Sequence, residues 1–177
     1  MQRIFFLLGI SIMLMSFTGI QKLTPINASG SSLKFTISGP LGEVAGSVKG
    51  IKGEVVYNSS DLANSKVNVS AQVNTIKTGI DMRDGHLQKP EFFDGAKYPT
   101  MSFQSVRFFS TSAGVAVTGN FTLKNVTKSI NVPIKASTVS GKQVFTGTFK
   151  INRQDYGLSD KTPGVGNTAT ITFVIKE

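Results

Sequence analysis

The residues most capable of chemistry are gathered between Thr78 and Phe103, in the run TGIDMRDGHLQKPEFFDGAKYPTMSF. This run holds the only histidine of the chain, His86, next to the Arg83-Asp84 pair. A Phe92-Phe93-Asp94 cluster and a Tyr98-Pro99 step follow. A carboxylate two residues from an imidazole is the minimal kit for acid–base work. Asp84 and His86 could therefore serve an enzyme as acid and base. The rest of a hydrolase is missing, because no serine sits in a G-x-S-x-G elbow. With one histidine and no cysteine, a metal site lacks ligands. No glycine-rich loop ends in Lys-Ser or Lys-Thr to cradle a phosphate. No catalytic residue, metal or cofactor is assigned on this pattern, and a binding protein fits it better than an enzyme. The plainer role for Arg83, Asp84 and His86 is structural: charge-assisted hydrogen bonds that pin a helical segment to its surroundings.

What holds these residues must be an exported domain of modest size. The chain has 177 residues, enough for one domain. Arg3 precedes a nearly unbroken apolar run from Ile4 to Phe17, and small residues follow at Ser16, Thr18 and Gly19. That run is short for a bilayer and suits a secretory signal over residues 1–20. An uncleaved anchor is the alternative, since no A-x-A site is present. The expected location is periplasmic or secreted. Without cysteine, the exported domain has no disulfide framework and relies on its core and its hydrogen-bond ladder. The formal charge is +9, from 19 basic and 10 acidic residues. The lysines are scattered singly, so nucleic acid is not an expected partner. Scattered lysines protect sheet edges, and they also favour contact with an anionic membrane surface.

From residue 31 onward the sequence alternates with a period of two. Val67, Val69, Ala71 and Val73 interleave with Asn68, Ser70, Gln72 and Asn74. The same alternation places Val115, Val117, Gly119, Phe121 and Leu123 on one face, then Ile130, Val132, Ile134 and Ala136, then Ile171, Phe173 and Ile175. One face buried and one face wet is the mark of antiparallel sheet. Weaker strands fall at Leu33–Ser38, Met101–Phe109 and Val144–Ile151. Glu43–Tyr57, with Gly46, Gly50 and Gly53, reads as one bent strand or two short ones. Turn residues separate the strands at 58–61, 112–114, 140–142 and 162–164. Helix is expected only at Thr78–Leu87, where Thr78 and Asp81 would form a variant capping pair, with a turn starting at Pro90. With so little helix the apolar faces must cover one another, which predicts an all-β antiparallel barrel or sandwich of about eight strands with a short helical segment near residues 78–95. Of the 13 phenylalanines, those beyond the leader fall largely in inward phase alongside glycines. Large rings mixed with glycine leave irregular space, suited to one apolar ligand. A barrel filled by its own side chains, with the glycines serving only curvature, is the competing reading.

The motifs of this segment resemble those of the YceI-like proteins of the bacterial periplasm. That family's T-G-x-x-x-R-D-x-H-L reads here Thr78-Gly79, Arg83-Asp84 and His86-Leu87. Its F-F-D is Phe92-Phe93-Asp94, and its Y-P-x-x-x-F-x-S is Tyr98-Pro99, Phe103 and Ser105. Downstream, G-x-L-T-x-x-x-x-T-K is echoed by Gly119, Phe121-Thr122-Leu123 and Val126-Thr127-Lys128. I-N-R-x-D-[YF]-G-L is echoed by Ile151-Asn152-Arg153 and Asp155-Tyr156-Gly157-Leu158. The resemblance implies that residues 31–177 form a lipocalin-like lipid-binding barrel. Its apolar tunnel would take a long chain such as a polyisoprenoid, an isoprenoid quinone or a fatty amide, without catalysis. The serine–histidine step usual near the family's first strand is replaced by Ser38-Gly39-Pro40-Leu41-Gly42, so any contact made by that histidine does not carry over.

The expected function is therefore an exported carrier or scavenger of a long apolar chain. The candidate ligand-binding residues are Phe35, Val73, Arg83, His86, Leu87, Phe92, Phe93, Phe103, Phe121 and Phe149. A homodimer is a further partner compatible with the sequence. The competing functions are an enzyme acting on such a lipid through Asp84 and His86, and a filled structural or interaction barrel.

Overall fold

Period-two alternation becomes ten antiparallel strands in the computed structural model, which describes residues 23–158 and 163–177. The expected targeting segment lies outside the described residues, as does Thr162 of the last turn. The strands are β1 (Thr24–Pro25), β2 (Ser32–Gly39), β3 (Gly42–Val48), β4 (Lys52–Val56), β5 (Lys66–Gln72), β6 (Thr100–Thr111), β7 (Gly114–Leu123), β8 (Val126–Val139), β9 (Lys142–Asn152) and β10 (Thr168–Lys176). They form one sheet in the order β1-β4-β5-β6-β7-β8-β9-β10-β2-β3. The sheet curls into a half-barrel. The strand count exceeds expectation for two reasons. A two-residue strand pairs Thr24 and Pro25 with Val55 and Glu54, and the glycine-rich stretch 43–57 divides into β3 and β4.

That division brings the two sides of the curl together. Up to Ser47 the chain bonds to Lys77: Ser47 N–H donates to Lys77 O at 2.9 Å, and Lys77 N–H donates back at 3.0 Å. At the bend, Lys49 N–H donates to Thr75 Oγ1 at 2.8 Å, and Lys49 O accepts from Gln72 N–H at 3.1 Å. Beyond it, β4 pairs with β5 in the register Val55↔Val67 and Gly53↔Val69. The outermost strand β3 is thus tied to the segment that follows β5.

The core sits inside the curl. Val117, Phe121, Val132, Ile134 and Ile171 are buried, while Val67 and Val69 pack half-buried against them. Asn68, Asn120 and Lys135 face solvent, as alternation requires. Gln72 is half-buried because its side chain lies over Gly50. Ala136 shares the inward phase but is exposed, since the last five residues of β8, Lys135–Val139, run past the core in the β8–β9 hairpin. At the end of the curl farthest from Thr75, the Tyr57 ring meets Phe145 edge-on at 5.2 Å and Phe108 at 6.1 Å.

Among the described residues the one α-helix, α1, spans Asp81–Leu87. It starts later than expected because Gly79 takes φ +85° and turns the chain, leaving Ile80 extended at the N-cap without a side-chain bond. The Thr78–Asp81 pair therefore does not form, and Thr78 bonds Asp84 instead. After the helix, Phe92 N–H closes a turn on Lys89 O at 2.9 Å across Pro90.

Gly53 marks where the β4–β5 contact is closest. A Cβ there would lie 2.0 Å from Asn68 O and 2.8 Å from Val69 Cα, and its φ is +152°. Neither backbone atom can yield cheaply. Gly53→Ala is expected to destabilise the fold by about 3 kcal/mol or more, measurable as a lowered urea midpoint.

Candidate functional site

The inward faces do not meet. Between them lie two cavities, one deep in the curl of about 110 Å³ and one beneath α1 of about 220 Å³. Four residues line both: Leu33, Met101, Phe121 and Phe149. The cavities therefore abut end to end, with that quartet as a waist. Voids larger than a water are few in native cores, and an apolar cavity of about 150 Å³ can already hold a benzene. These volumes favour a lined lumen over a barrel filled by its own side chains.

The deep cavity is walled almost entirely by apolar side chains, with Ser70 and Ser102 the only polar residues among those lining it. Aromatic edges shape the waist: Phe121 meets Phe149 at 5.9 Å and Tyr156 at 5.5 Å, both edge-on. The cavity beneath α1 adds a polar rim of Lys34, Thr78, Arg83, His86 and Arg153.

Local hydrogen bonds fix this rim. Asp84, only 5% exposed, accepts at Oδ1 from the Thr78 hydroxyl at 2.6 Å and from Thr78 N–H at 2.8 Å. Its Oδ2 accepts no hydrogen bond and is met by the Lys77 ammonium at 3.5 Å. The Thr78 hydroxyl is the largest influence holding the Asp84 carboxyl below its ordinary range. Burial opposes it, while Thr78 N–H and Lys77 add to it. Arg83 closes the knot, with Nε donating to Thr78 Oγ1 at 2.8 Å and Nη2 to Thr78 O at 2.9 Å. His86 points elsewhere. Its Nε2 lies 3.1 Å from Glu91 Oε1 and its ring stands edge-on to Phe92 at 4.9 Å. The two members of the conceivable acid–base pair are thus committed to different partners. Arg153, 6% exposed, is held by Gly166 O on Nε at 2.9 Å and Val165 O on Nη2 at 3.4 Å. Lys124 ties separate parts of the rim together, its Nζ donating to Pro90 O at 3.0 Å and Gly157 O at 3.2 Å.

Nine of the ten residues singled out from the sequence line this lumen. Phe35, Arg83, His86, Leu87, Phe92 and Phe93 surround the cavity under α1, Phe103 lines the deep cavity, and Phe121 and Phe149 belong to both. Val73 lines neither. The chain leaves β5 there for a 3₁₀ turn, Val73–Thr75, and the side chain is 1% exposed within the core. Sequence reasoning passed over Leu33 and Met101 at the waist. Their signal was available, because each lies two residues from a named phenylalanine and so shares its face.

The comparisons agree with this architecture. The family model described as the YceI-like domain matches residues 25–176. A UPF0312 protein of Enterobacter sp. (strain 638) is 30% identical over 120 residues, covering 64% of this chain and 62% of that protein. The chain thus matches less than two thirds of that relative's length. Among solved structures, BcnA of Burkholderia cenocepacia superposes with a TM-score of 0.79 at 20% identity, covering 86% of this chain and 99% of that one. A polyisoprenoid-binding domain from Saccharophagus degradans, implicated in plant cell wall breakdown, gives a TM-score of 0.69 at 17% identity over 88% and 98% of the two chains.

The Asp84 knot has a pH signature. A carboxyl whose pKa is depressed by folding stabilises the protein above its unfolded pKa and loses that contribution as pH falls through the folded value. Asp84→Asn should therefore lower the melting temperature most at neutral pH. The gap between variant and wild type should close as pH drops below the ordinary aspartate range of about 4. A pH series of melting curves on both proteins checks this.

Proposed function

Since the chain belongs to the YceI-like domain family, we propose that it is a non-catalytic carrier or scavenger of a long apolar chain. The ligand class is a polyisoprenoid, an isoprenoid quinone or a fatty amide. The observation that carries this reading is the lumen itself: two abutting cavities with apolar walls and a polar rim at one end only. The polyisoprenoid-binding domain of Saccharophagus degradans, which shares the fold, supports the same ligand class. The separate commitments of Asp84 and His86 favour a carrier over an enzyme.

The working site is periplasmic or secreted, a reading that rests on the apolar leader of the sequence. The lipid source would be an anionic membrane surface. Lys34, Lys135, Lys150 and Lys176 are exposed on the neighbouring strands β2, β8, β9 and β10, and among the described residues none of them forms an ion pair. Those charges would favour that surface electrostatically.

Affinity should come from chain length. Burying a methylene contributes about 0.8 kcal/mol, and association costs roughly 4–15 kcal/mol before net binding appears. A chain of about ten carbons would bind weakly on these figures, and one of about twenty or more tightly. The first measurement is mass spectrometry of organic extracts from protein purified from its native envelope, expected to find a long-chain lipid. The second is binding across a chain-length series. Affinity should rise with length, fall sharply for Phe103→Asp in a variant shown by circular dichroism to be folded, and change little for His86→Ala, whose side chain is half exposed. Affinity independent of length refutes the carrier, and turnover of a bound lipid would promote the enzyme reading.

A further inference from the structure

Three phenylalanines that line the lumen each lie on a glycine of the adjacent strand. Phe35 of β2 is paired with Gly46 of β3, and Phe173 of β10 with Gly147 of β9. Phe103 of β6 is paired with Phe121 and leans diagonally onto Gly119 of β7. A Cβ added to these glycines would fall 2.3 Å from Phe35 Cζ, 2.6 Å from Phe173 Cζ and 2.3 Å from Phe103 Cζ. Each ring therefore fills the space that a neighbouring side chain would take. Side chains on a strand ordinarily stand roughly perpendicular to the sheet, which here would point them into the lumen. The glycines let the rings lie down against the wall instead. Strand glycines that served curvature alone would need no ring over them.

We infer that these three Phe–Gly pairs set the width of the lumen and thereby admit a methyl-branched isoprenoid chain in addition to thinner straight alkyl chains. The inference rests on the carrier reading and names the residues that set which chains its lumen takes. An isoprenoid carries regularly spaced methyl branches and rigid double bonds, so it needs a wider and straighter passage than a polymethylene chain. Phe35 stands on the wall of the cavity under α1, and Phe103 and Phe173 on that of the deep cavity, so the pairs act along both parts of the passage.

Gly46 is the position to test. Its added Cβ would meet the Phe35 ring, with Lys77 O next at 3.0 Å. At Gly119 and Gly147 a backbone carbonyl also intrudes, Gln104 O at 2.7 Å and Pro133 O at 2.5 Å. Gly46→Ala should push the Phe35 ring into the lumen. Dissociation constants are measured for geranylgeraniol and for hexadecanol, whose main chains are equally long and differ in methyl branching and unsaturation. Gly46→Ala is expected to weaken geranylgeraniol on the order of tenfold and hexadecanol by less than about threefold. Phe35→Leu added to Gly46→Ala should recover geranylgeraniol binding. Phe173→Trp, which thickens the wall without substituting a glycine, should discriminate in the same direction and serves if Gly46→Ala does not fold. Equal losses for the two alcohols, or none, would overturn the inference while leaving the carrier standing. Failure of the wild-type protein to bind either alcohol would overturn the carrier reading and this inference with it.

Discussion

The fold depends on a short ladder of hydrogen bonds between the bend in the β3–β4 stretch and the segment leaving β5. Ser47 exchanges two bonds with Lys77, and Lys49 engages Gln72 and Thr75 within the next turn of chain. A sheet with one short helix has little else to cover it. Its apolar face can be buried only by curling on itself, and a curl left open would present an unpaired edge. The bend lets one continuous stretch of chain serve β2 on one side and β5 on the other. The interior, its rim and the position of α1 all follow from that exchange of partners.

A curl of this circumference encloses more space than its own side chains occupy. Most inward positions carry Val, Ile or Phe, yet glycines interrupt them where rings lie flat. The consequence is a wall that is well packed around an axis that is not. Stability and capacity are therefore largely shared by the same residues: Ile51, Val117, Phe121, Leu123 and Val132 are buried core and also line the lumen. Of the largest fully buried side chains, Val55 and Ile76 face a cavity, while Tyr156 and Val73 pack behind the wall. The rim has its own logic, with Thr78, Arg83 and Asp84 satisfying one another across six residues of sequence.

Much of this was legible in the sequence, and what was not has physical causes. Alternation located every long strand, because one-sided burial imposes a period of two directly on residue type. It misjudged Val73 because nothing in the alternation marks where β5 gives way to a 3₁₀ turn. It misjudged Ala136 because phase does not reveal how far a hairpin extends beyond the core. The cap of α1 falls two residues later than expected, at Ile80 and not at Thr78, because the backbone turn at Gly79 carries Thr78 out of the helix and onto Asp84. The phenylalanines of the lumen were readable from their phase. Leu33 and Met101 were readable in the same way, but that they join Phe121 and Phe149 between the two cavities was not, since phase along a strand does not say which residues of other strands lie opposite.

The self-contained bonding of the rim bears on how firmly the lumen is covered. Thr78, Arg83 and Asp84 bond within one short loop, so these bonds stiffen the helix entry without fastening the helix to the opposite wall. The polar bonds around its far end are few: Gln88 Nε2 to Val73 O at 3.1 Å, Val73 N–H to Pro99 O at 2.9 Å, and Lys124 Nζ to Pro90 O. Two of these are single side-chain bonds, each worth only about 0.5–1.5 kcal/mol net in water, or about 1.5–3 kcal/mol where one partner is charged. Leu87 and Phe93 of the same segment pack against the core, so apolar burial and a few weak polar bonds together hold this cover over the lumen, and its local stability is separable from that of the sheet.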